Sequence, residues 1–414
     1  VDSAKTEMAA TDAAARAASE GMPAAAAPVR ARSAPASREI PFHRPGYDRR
    51  DERALQECLR TGRIVGDGPS TRKACEKLSE LLQTRHVLLT PSCTHALELA
   101  MLALRLRPGD EVILPSFTFV SSANCVLRAG GKIVFADVDA ATLTLDPADV
   151  ARKLSPRTRA ILPVVYAGVS PDLDAFARLV SGRPIEIVED AAQGVGAAYR
   201  GRPCGTTGVM GCYSFHETKN LSTGEGGAFV TTSDEYMSRA EIVREKGTNR
   251  KQFLQGLVDK YTWVEVGSSY LPPDFVGALL LSQLEKIDTV HRKRQAIYRR
   301  YVAELEPLQK RGLLTLPTIP AHAQSNYHIF HVLLADEATR SRAIAFFRSR
   351  RIGTAFHYLP LHLSPVGRSL GYLPGDCPVT ESASGRLLRL PLYPSLTADE
   401  QSAVIVALFD FLKS

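Results

Sequence analysis

The segment Val188-Glu189-Asp190-Ala191-Ala192-Gln193 closes an apolar run that begins at Ile185. Lys219 stands in Ser214-Phe215-His216-Glu217-Thr218-Lys219-Asn220, in the loop after a second run from Cys212 to Phe215. An acid at the end of one strand and an amine in the loop after another can reach opposite ends of one small aromatic ligand. Pyridoxal phosphate is a ligand whose chemistry needs both. Its ring works as an electron sink only while the pyridine nitrogen is protonated, and a neighbouring carboxylate keeps the proton there. Two unit charges about 4 Å apart at an effective dielectric of about 20 interact by roughly 4 kcal/mol, which moves a pKa by about three. Asp190 is therefore assigned to the ring nitrogen. Lys219 is assigned to the aldehyde carbon as a Schiff base, because an amine forms an imine, is displaced by an incoming amino acid and is then free to carry protons. Most aspartates and lysines are solvated surface groups, so neither residue alone marks a site. Their order and their places at strand ends do.

The remaining contacts for such a ligand can be sought at other strand ends. Thr90-Pro91-Ser92-Cys93-Thr94 leads into a helix predicted from His95 to Leu106, so the backbone amides of Cys93 and Thr94 form a natural phosphate seat, to which Ser214 can add its hydroxyl. Taken alone, Thr94 reads more readily as an ordinary N-cap. Phe119, in Pro115-Ser116-Phe117-Thr118-Phe119, can stack on the pyridine face or pack in the core. Gln193 can contact the phenolic oxygen or cap its own turn. Gly224-Glu225-Gly226-Gly227 suits a tight bend where backbone approaches the lysine. His357, Tyr358 and His362 lie in a polar, aromatic loop that can line a substrate mouth.

These residues need a scaffold that brings several strand ends to one edge. From Asp51 the pattern alternates helix and strand: helices over Asp51 to Arg60, Ser70 to Gln83 and Pro147 to Leu154, and strands over His86 to Leu89, Glu111 to Leu114, Lys132 to Ala136, Ala160 to Val165, Ile185 to Val188, Gly211 to Phe215 and Gly227 to Thr231. Such alternation implies an α/β fold with a mostly parallel sheet, covered on both faces and binding ligands beyond the carboxyl ends of its strands. Asp274 to Val290 and His291 to Leu305 read as long helices leaving that sheet. Strands at His328 to Leu334 and Ile352 to Phe356, with helices at Ala338 to Arg350, Thr380 to Leu388 and Thr397 to Leu412, make a smaller α+β part. The expected division is a large domain over residues 39–290 and a small C-terminal domain over 291–414. Residues 1–38, rich in Ala, Ser, Pro and Arg, lack the large apolar side chains needed to offset ordering entropy and read as a disordered tail.

Composition narrows the function classes. Of 414 residues, 44% are apolar and 23% charged, as in a globular protein with room for a buried site. No run approaches the roughly 18 apolar residues of a membrane helix, so no membrane role is expected. Seven scattered cysteines, never spaced C-x-x-C, point away from a zinc site or a disulfide framework and toward a reducing cytoplasm. A net charge of +7 is dispersed; its dense runs, Arg292-Lys293-Arg294 and Arg348 to Arg351, fall on helical faces, so nucleic-acid binding is not expected. A diffuse positive field favours anionic substrates such as nucleotide sugars.

Assembled in this way, the chain resembles the DegT/DnrJ/EryC1/StrS family of pyridoxal phosphate-dependent sugar aminotransferases from about Ile40 to the C-terminus, through the Asp190 segment, Ser214-Phe215-x-x-x-Lys219, Gly224-Glu225-Gly226-Gly227 and the Pro115 to Phe119 segment. Asp259-Lys260-Tyr261-Thr262-Trp263, Gly267-Ser268-Ser269-Tyr270-Leu271 and Leu387-Leu388-Arg389-Leu390-Pro391-Leu392 are similar to the branch that serves enterobacterial common antigen synthesis by aminating C4 of dTDP-4-dehydro-6-deoxy-D-glucose. The resemblance implies fold type I, the fold of aspartate aminotransferase, in a homodimer with sites at the subunit boundary. It also implies L-glutamate as amino donor. Lys219 would be the catalytic base, with Asp190, Gln193, Ser214, Cys93, Thr94, Phe119 and a partner's Ser269 around the cofactor. Two positions depart from many relatives: Cys93 stands where Gly is common, and Ser269 near a common Asn. Members with histidine in place of the lysine remove a hydroxyl group, so Lys219 favours transamination. A UDP- or GDP-linked or 3-keto sugar is the alternative acceptor. A regulatory protein that keeps the fold without turnover is a further alternative, against which the intact Asp190 and Lys219 pair stands.

Overall fold

Short apolar runs pair into a seven-stranded sheet in the computed structural model, which describes residues 39–413. The tail expected over residues 1–38 lies outside the described residues. The strands are β1 (His86–Thr90), β2 (Glu111–Pro115), β3 (Lys132–Ala136), β4 (Thr158–Ile161), β5 (Glu186–Asp190), β8 (Met210–Ser214) and β9 (Gly227–Thr231), in the order β1-β9-β8-β5-β4-β2-β3. The short strands β6 (Ala198–Tyr199) and β7 (Arg202–Pro203) join β10 (Ala323–Gln324) in a separate sheet. Four pairings of the large sheet are parallel, and β9 alone runs against its neighbours β1 and β8. One edge of the sheet therefore carries the ends of β1, β2, β5 and β8 together with the start of β9. The fold is α/β with a large, mostly parallel sheet, as the alternation of helix and strand implied.

Both faces of the sheet are buried, which is why its strands read as continuous apolar runs. The helix Cys93–Ala103 packs one face with Ala96, Leu97, Ala100 and Met101 against Leu114, Val188, Cys212 and Phe229. The helices Pro69–Leu82 and Asp274–Leu284 cover the other side near Leu89, Tyr213 and Val230. Each such side chain contributes about 1.5–3 kcal/mol by leaving water. Alternation along β5 sends Glu189 and Asp190 to opposite faces. The Glu189 carboxylate accepts from the amides of Gly205, Thr207 and Gly208 at 2.7, 2.7 and 2.8 Å, pinning that loop.

C-terminal to the large sheet, β11 (Phe330–Leu333) pairs with β12 (Leu387–Leu390). The helices Ile287–Lys310, Glu337–Ser349 and Ala398–Lys413 surround the pair in a second core containing Tyr301, Phe330, Phe347, Leu388 and Leu408. Several boundaries differ from expectation. The expected helix break near Val290 falls earlier, because the first helix ends at Leu284 and the second runs unbroken from Ile287. The helix expected over Thr380 to Leu388 ends at Arg386, and Leu387–Leu390 is a strand, since pairing with β11 buries Leu387, Leu388 and Leu390. Ile352 to Phe356, expected as a strand, makes only single bridges, Ile352 to Ile40 and Ala355 to Arg389. The helix expected from Ser70 starts at Pro69 after Gly68.

Candidate active site

At the shared strand edge lies a cavity of about 540 Å³, lined among others by Cys93, Thr94, Phe119, Asp190, Gln193, Ser214, Lys219, His328, His357, Tyr358 and Arg389. The volume suits a small-molecule ligand. A more open cavity of about 910 Å³ holds Arg105, Arg107, Arg159 and Arg239 but neither Asp190 nor Lys219, so the smaller one is where the chemistry is gathered.

Asp190 ends β5 and is only 4% exposed. Its Oδ2 accepts from the Ser122 hydroxyl at 2.6 Å and its Oδ1 from the Ala192 amide at 3.1 Å. Because Ser122 spends its proton on Asp190, its oxygen is left to accept from Thr118 Oγ1 at 2.9 Å. Burial nevertheless pushes the Asp190 carboxyl above its ordinary value, against these hydrogen bonds and the charge of Lys219. Lys219 follows β8 in a loop closed by Lys219 N donating to His216 O and Glu217 N to Gly224 O. Burial lowers its amine below the ordinary lysine value, opposed by the carboxylate of Asp190. An acid and an amine on one cavity wall are thus each held back from ionising by burial, a state that a cationic ligand beside Asp190 would relieve.

The phosphate seat rests on a close approach. Ser92 caps the helix Cys93–Ala103 by accepting from His95 N at 3.3 Å, which leaves Cys93 and Thr94 in its first turn at the cavity wall. A Cβ on Gly227 would come within 2.4 Å of the Ser92 backbone, so only glycine lets β9 pass beneath this helix start. Gly224 has φ +80°, where side chains are strained. The glycine cluster thus serves the helix start as well as the lysine loop. Thr94 Oγ1 pairs with Ser121 Oγ at 2.7 Å, and Ser214 Oγ accepts from His216 N at 3.3 Å. A helix N-terminus ringed by hydroxyls, a buried acid and a buried amine of lowered basicity fit pyridoxal phosphate end to end.

Histidine and tyrosine fill the wall formed by the C-terminal part. Arg389 Nη1 donates to His357 Nε2 at 3.0 Å, so that nitrogen carries no proton and Nδ1–H faces Tyr166 Oη at 3.2 Å. Burial and the charge of Arg389 hold His357 neutral, well below its ordinary value. Its ring stacks on Tyr358 at 3.7 Å. Tyr358 Oη in turn accepts from Gln193 Nε2 at 3.1 Å, while Gln193 Oε1 accepts from Ala167 N. His328 donates from Nδ1 to Asn220 Oδ1, whose amide end is spent on Asn326 O, and burial keeps His328 neutral too.

Three further expected residues are placed as follows, and one of them departs from expectation. Phe119 lines the cavity but is 58% exposed in the single chain, at the N-cap of the helix Val120–Arg128. Ser269 is exposed, bridges Glu245 and does not line its own chain's cavity. His362 is corrected outright: it is fully buried away from the cavity, its ring held between Ser116 Oγ at 2.6 Å and Glu381 Oε1 at 3.0 Å. It ties the Leu361–Leu363 turn to the end of β2. Ser122, His328 and Arg389 were not found from sequence. Ser122 had a signal, standing one helical turn after Thr118 and three residues beyond the Pro115 to Phe119 segment; Arg389 was hidden in an apolar strand. Among the described residues no group of three metal-ligating side chains comes together, and no helix is long and apolar enough to cross a membrane.

Fold and cavity together define a pyridoxal phosphate-dependent aminotransferase. The DegT/DnrJ/EryC1/StrS aminotransferase family model matches residues 46–409, and the chain belongs to that family. It is 32% identical to the aminotransferase TlmJ from Streptoalloteichus hindustanus, whose crystal structure superposes with a TM-score of 0.83 over 90% of this chain and 99% of that one. It is 32% identical over 383 residues to the spore coat polysaccharide biosynthesis protein SpsC of Bacillus subtilis, covering 90% of this chain and 97% of SpsC. A pleiotropic regulatory protein of Geobacillus stearothermophilus is likewise 32% identical over 364 residues, 87% of this chain and 94% of that protein.

Proposed function

We propose that the chain transfers the amino group of L-glutamate to C4 of dTDP-4-dehydro-6-deoxy-D-glucose, giving 2-oxoglutarate and dTDP-4-amino-4,6-dideoxy-D-galactose. The observation that carries amine transfer is the shared buried cavity of Asp190 and Lys219. The choice of sugar rests on the Asp259 to Trp263, Gly267 to Leu271 and Leu387 to Leu392 segments. Asp190, Gln193, Ser214, Cys93, Thr94, Phe119, His357 and Tyr358 surround cofactor and substrate, and His362 is left out. We take residues 39–290 as the cofactor-binding part, 291–414 as the smaller part and a reducing cytoplasm as the setting, in keeping with seven free cysteines.

Bound pyridoxal phosphate supplies a cationic conjugated ring that accepts the electron pair left when a C–H bond beside nitrogen breaks. The protein supplies the rest. Lys219 Nζ, kept weakly basic by burial, removes the proton from the donor carbon that bears nitrogen and later delivers one to C4 of the sugar. Because that amine reaches from one side only, it sets the configuration at C4. Ser122 and Ala192 hold the Asp190 carboxylate in one orientation, and Thr118 holds Ser122. Tyr358, Gln193 and the neutral His357 close the cavity wall without adding positive charge.

A panel of nucleotide keto sugars offered with L-glutamate tests the acceptor. We expect the dTDP-linked 4-keto sugar to be aminated with kcat/KM at least about 100-fold above UDP- or GDP-linked and 3-keto analogues. A preference for any of those analogues would replace the proposed substrate, and no amination of any of them alongside rapid glutamate consumption would discard the sugar assignment.

We further propose a homodimer. Phe253, Leu254, Leu257, Trp263, Val264 and Val266 expose large apolar side chains in one segment, Trp263 at 73% and Val266 at 76%. Such a surface calls for a partner, and Ser269 lies beside it, available to a second copy's cavity. Sedimentation at micromolar concentration should give a species of twice the chain mass; a single-chain mass with full activity would remove this part of the proposal.

A further inference from the structure

We propose that a second ligand site, for a nucleoside diphosphate, lies at the edge of the large sheet opposite Lys219. The cavity of about 910 Å³ is built there from the residue before β2 (Asp110), the start of β4 (Arg159), the chain just after the helix Cys93–Ala103 (Arg105 and Arg107) and the helix Asp234–Arg244. It shares no lining residue with the lysine cavity, because it gathers the starts of parallel strands and the lysine cavity gathers their ends. Its size suits a nucleotide.

Hydrogen bonding leaves part of the charge in this cavity uncommitted. Arg239 serves the fold: its Nε donates to Leu102 O at 3.1 Å, satisfying a carbonyl at the end of the helix Cys93–Ala103, and its Nη1 lies 3.0 Å from Glu265 Oε2. Arg159 donates from Nη1 to Pro184 O at 2.8 Å and has further donors. Arg105 and Arg107 are exposed, and neither guanidinium has a hydrogen bond or ion pair among the described residues. Arg105 also takes φ +55°, the left-handed turn after a helix that glycine adopts without strain and a side chain does not. An arginine there strains the backbone without a contact inside the fold to compensate, and strain of this kind gathers at ligand sites.

The acids choose among anions. Glu265 is neutralised by Arg239, but Asp110 and Glu235 also line the cavity, with Asp110 Oδ2 accepting from Arg107 N at 2.7 Å. They would repel a bare polyanion. A nucleoside diphosphate carries phosphoryl oxygens for the forked donors of Arg105, Arg107 and Arg159, and sugar hydroxyls that donate to Asp110 or Glu235. Tyr236 offers an aromatic wall to the base, with its hydroxyl fixed by donating to Glu186 Oε1 at 3.0 Å.

Calorimetry on the cofactor-loaded protein, with ADP, GDP, UDP and dTDP as separate probes, tests the site. At least one should bind the parent with a Kd below about 1 mM, and Arg105→Gly combined with Arg107→Ala should weaken that binding at least about 30-fold. The double variant should melt at or above the parent temperature, since glycine relieves the left-handed strain, and its turnover without added nucleotide should stay within about twofold. Inorganic pyrophosphate should bind at least about tenfold more weakly than the best probe. Binding of every probe that the double variant leaves unchanged belongs to the lysine cavity and overturns the proposal, as does a parent that binds none. Pyrophosphate binding as tight as the best probe overturns it too, by removing sugar and base from recognition. If the double variant fails to fold, Arg107→Glu decides alone: its reversed charge on an exposed side chain should weaken the same binding, and an unchanged affinity sinks the site. Binding is read without turnover, so this result stands or falls separately from the amine-transfer reading.

Discussion

Replacing Lys219 with alanine is expected to lower amine transfer by about 10⁴-fold or more, because the same amine both holds the cofactor covalently and moves the proton in each half-reaction. Borohydride treatment of the parent protein should attach the cofactor to the peptide containing Lys219, and the alanine variant should take no label. The visible absorbance of the lysine-bound cofactor should be lost with it. Folding should not suffer. Lys219 faces the cavity and its charged form is disfavoured by burial, so removing the amine takes away a group whose ionisation opposes the folded state. The thermal midpoint of the cofactor-free variant should match or exceed that of the parent. Turnover within about tenfold of the parent, or a borohydride label on another lysine, would sink the assignment.

Asp190→Asn is expected to cost about 10³-fold in turnover, roughly the 4 kcal/mol by which a neighbouring carboxylate favours a protonated ring nitrogen. Ser122 can reverse its hydroxyl and accept from the new amide, so local geometry survives and the loss is electrostatic. The empty protein should behave oppositely. Burial raises the Asp190 carboxyl in the folded state, so the folded protein binds that proton more tightly than the unfolded chain does. This contribution to stability is present at low pH and is lost as pH rises from the ordinary carboxyl value through the raised folded one. Asparagine mimics the protonated acid at every pH. Cofactor-free Asp190→Asn should therefore be at least as stable as the parent at pH 7, while the stabilisation added by cofactor shrinks. Melting curves with and without cofactor measure both effects. Parent-like turnover in the asparagine variant would remove Asp190 from the proposed mechanism.

One alternative from the sequence, a regulatory protein without turnover, keeps its force only in part. The relative named as a pleiotropic regulatory protein shares about a third of its aligned residues with this chain. What separates turnover from a bare scaffold here is a cavity that still holds a buried acid, a buried amine and a helix start in one place. Maintaining them opposes stability, as the directions of both pKa displacements show.

The pattern of apolar runs was enough to read the α/β class, most strands of the large sheet and the helix capped at the phosphate seat. Those features are local: hydrophobic periodicity and turn chemistry are written over a few residues at a time. Asp190 and Lys219 were legible for the same reason, since a strand end followed by a polar group is visible without knowing the neighbours. Strand order, however, is a matter of contacts between distant segments. Only the order β1-β9-β8-β5-β4-β2-β3 brings Thr90, Pro115, Asp190 and Ser214 to one edge, and only pairing with β11 turns Leu387–Leu390 from the expected helix end into a strand that aims Arg389 at the cavity. His362 shows the limit most clearly. Its loop looked like a substrate mouth, yet Ser116, 246 residues away in sequence, and Glu381, 19 residues on, satisfy both ring nitrogens and draw it into the interior. Periodicity determined which segments become helix or strand; which polar side chain stays available to a ligand was decided by the partners that tertiary packing happened to place beside it, because a buried polar atom goes to whichever group completes its hydrogen bond.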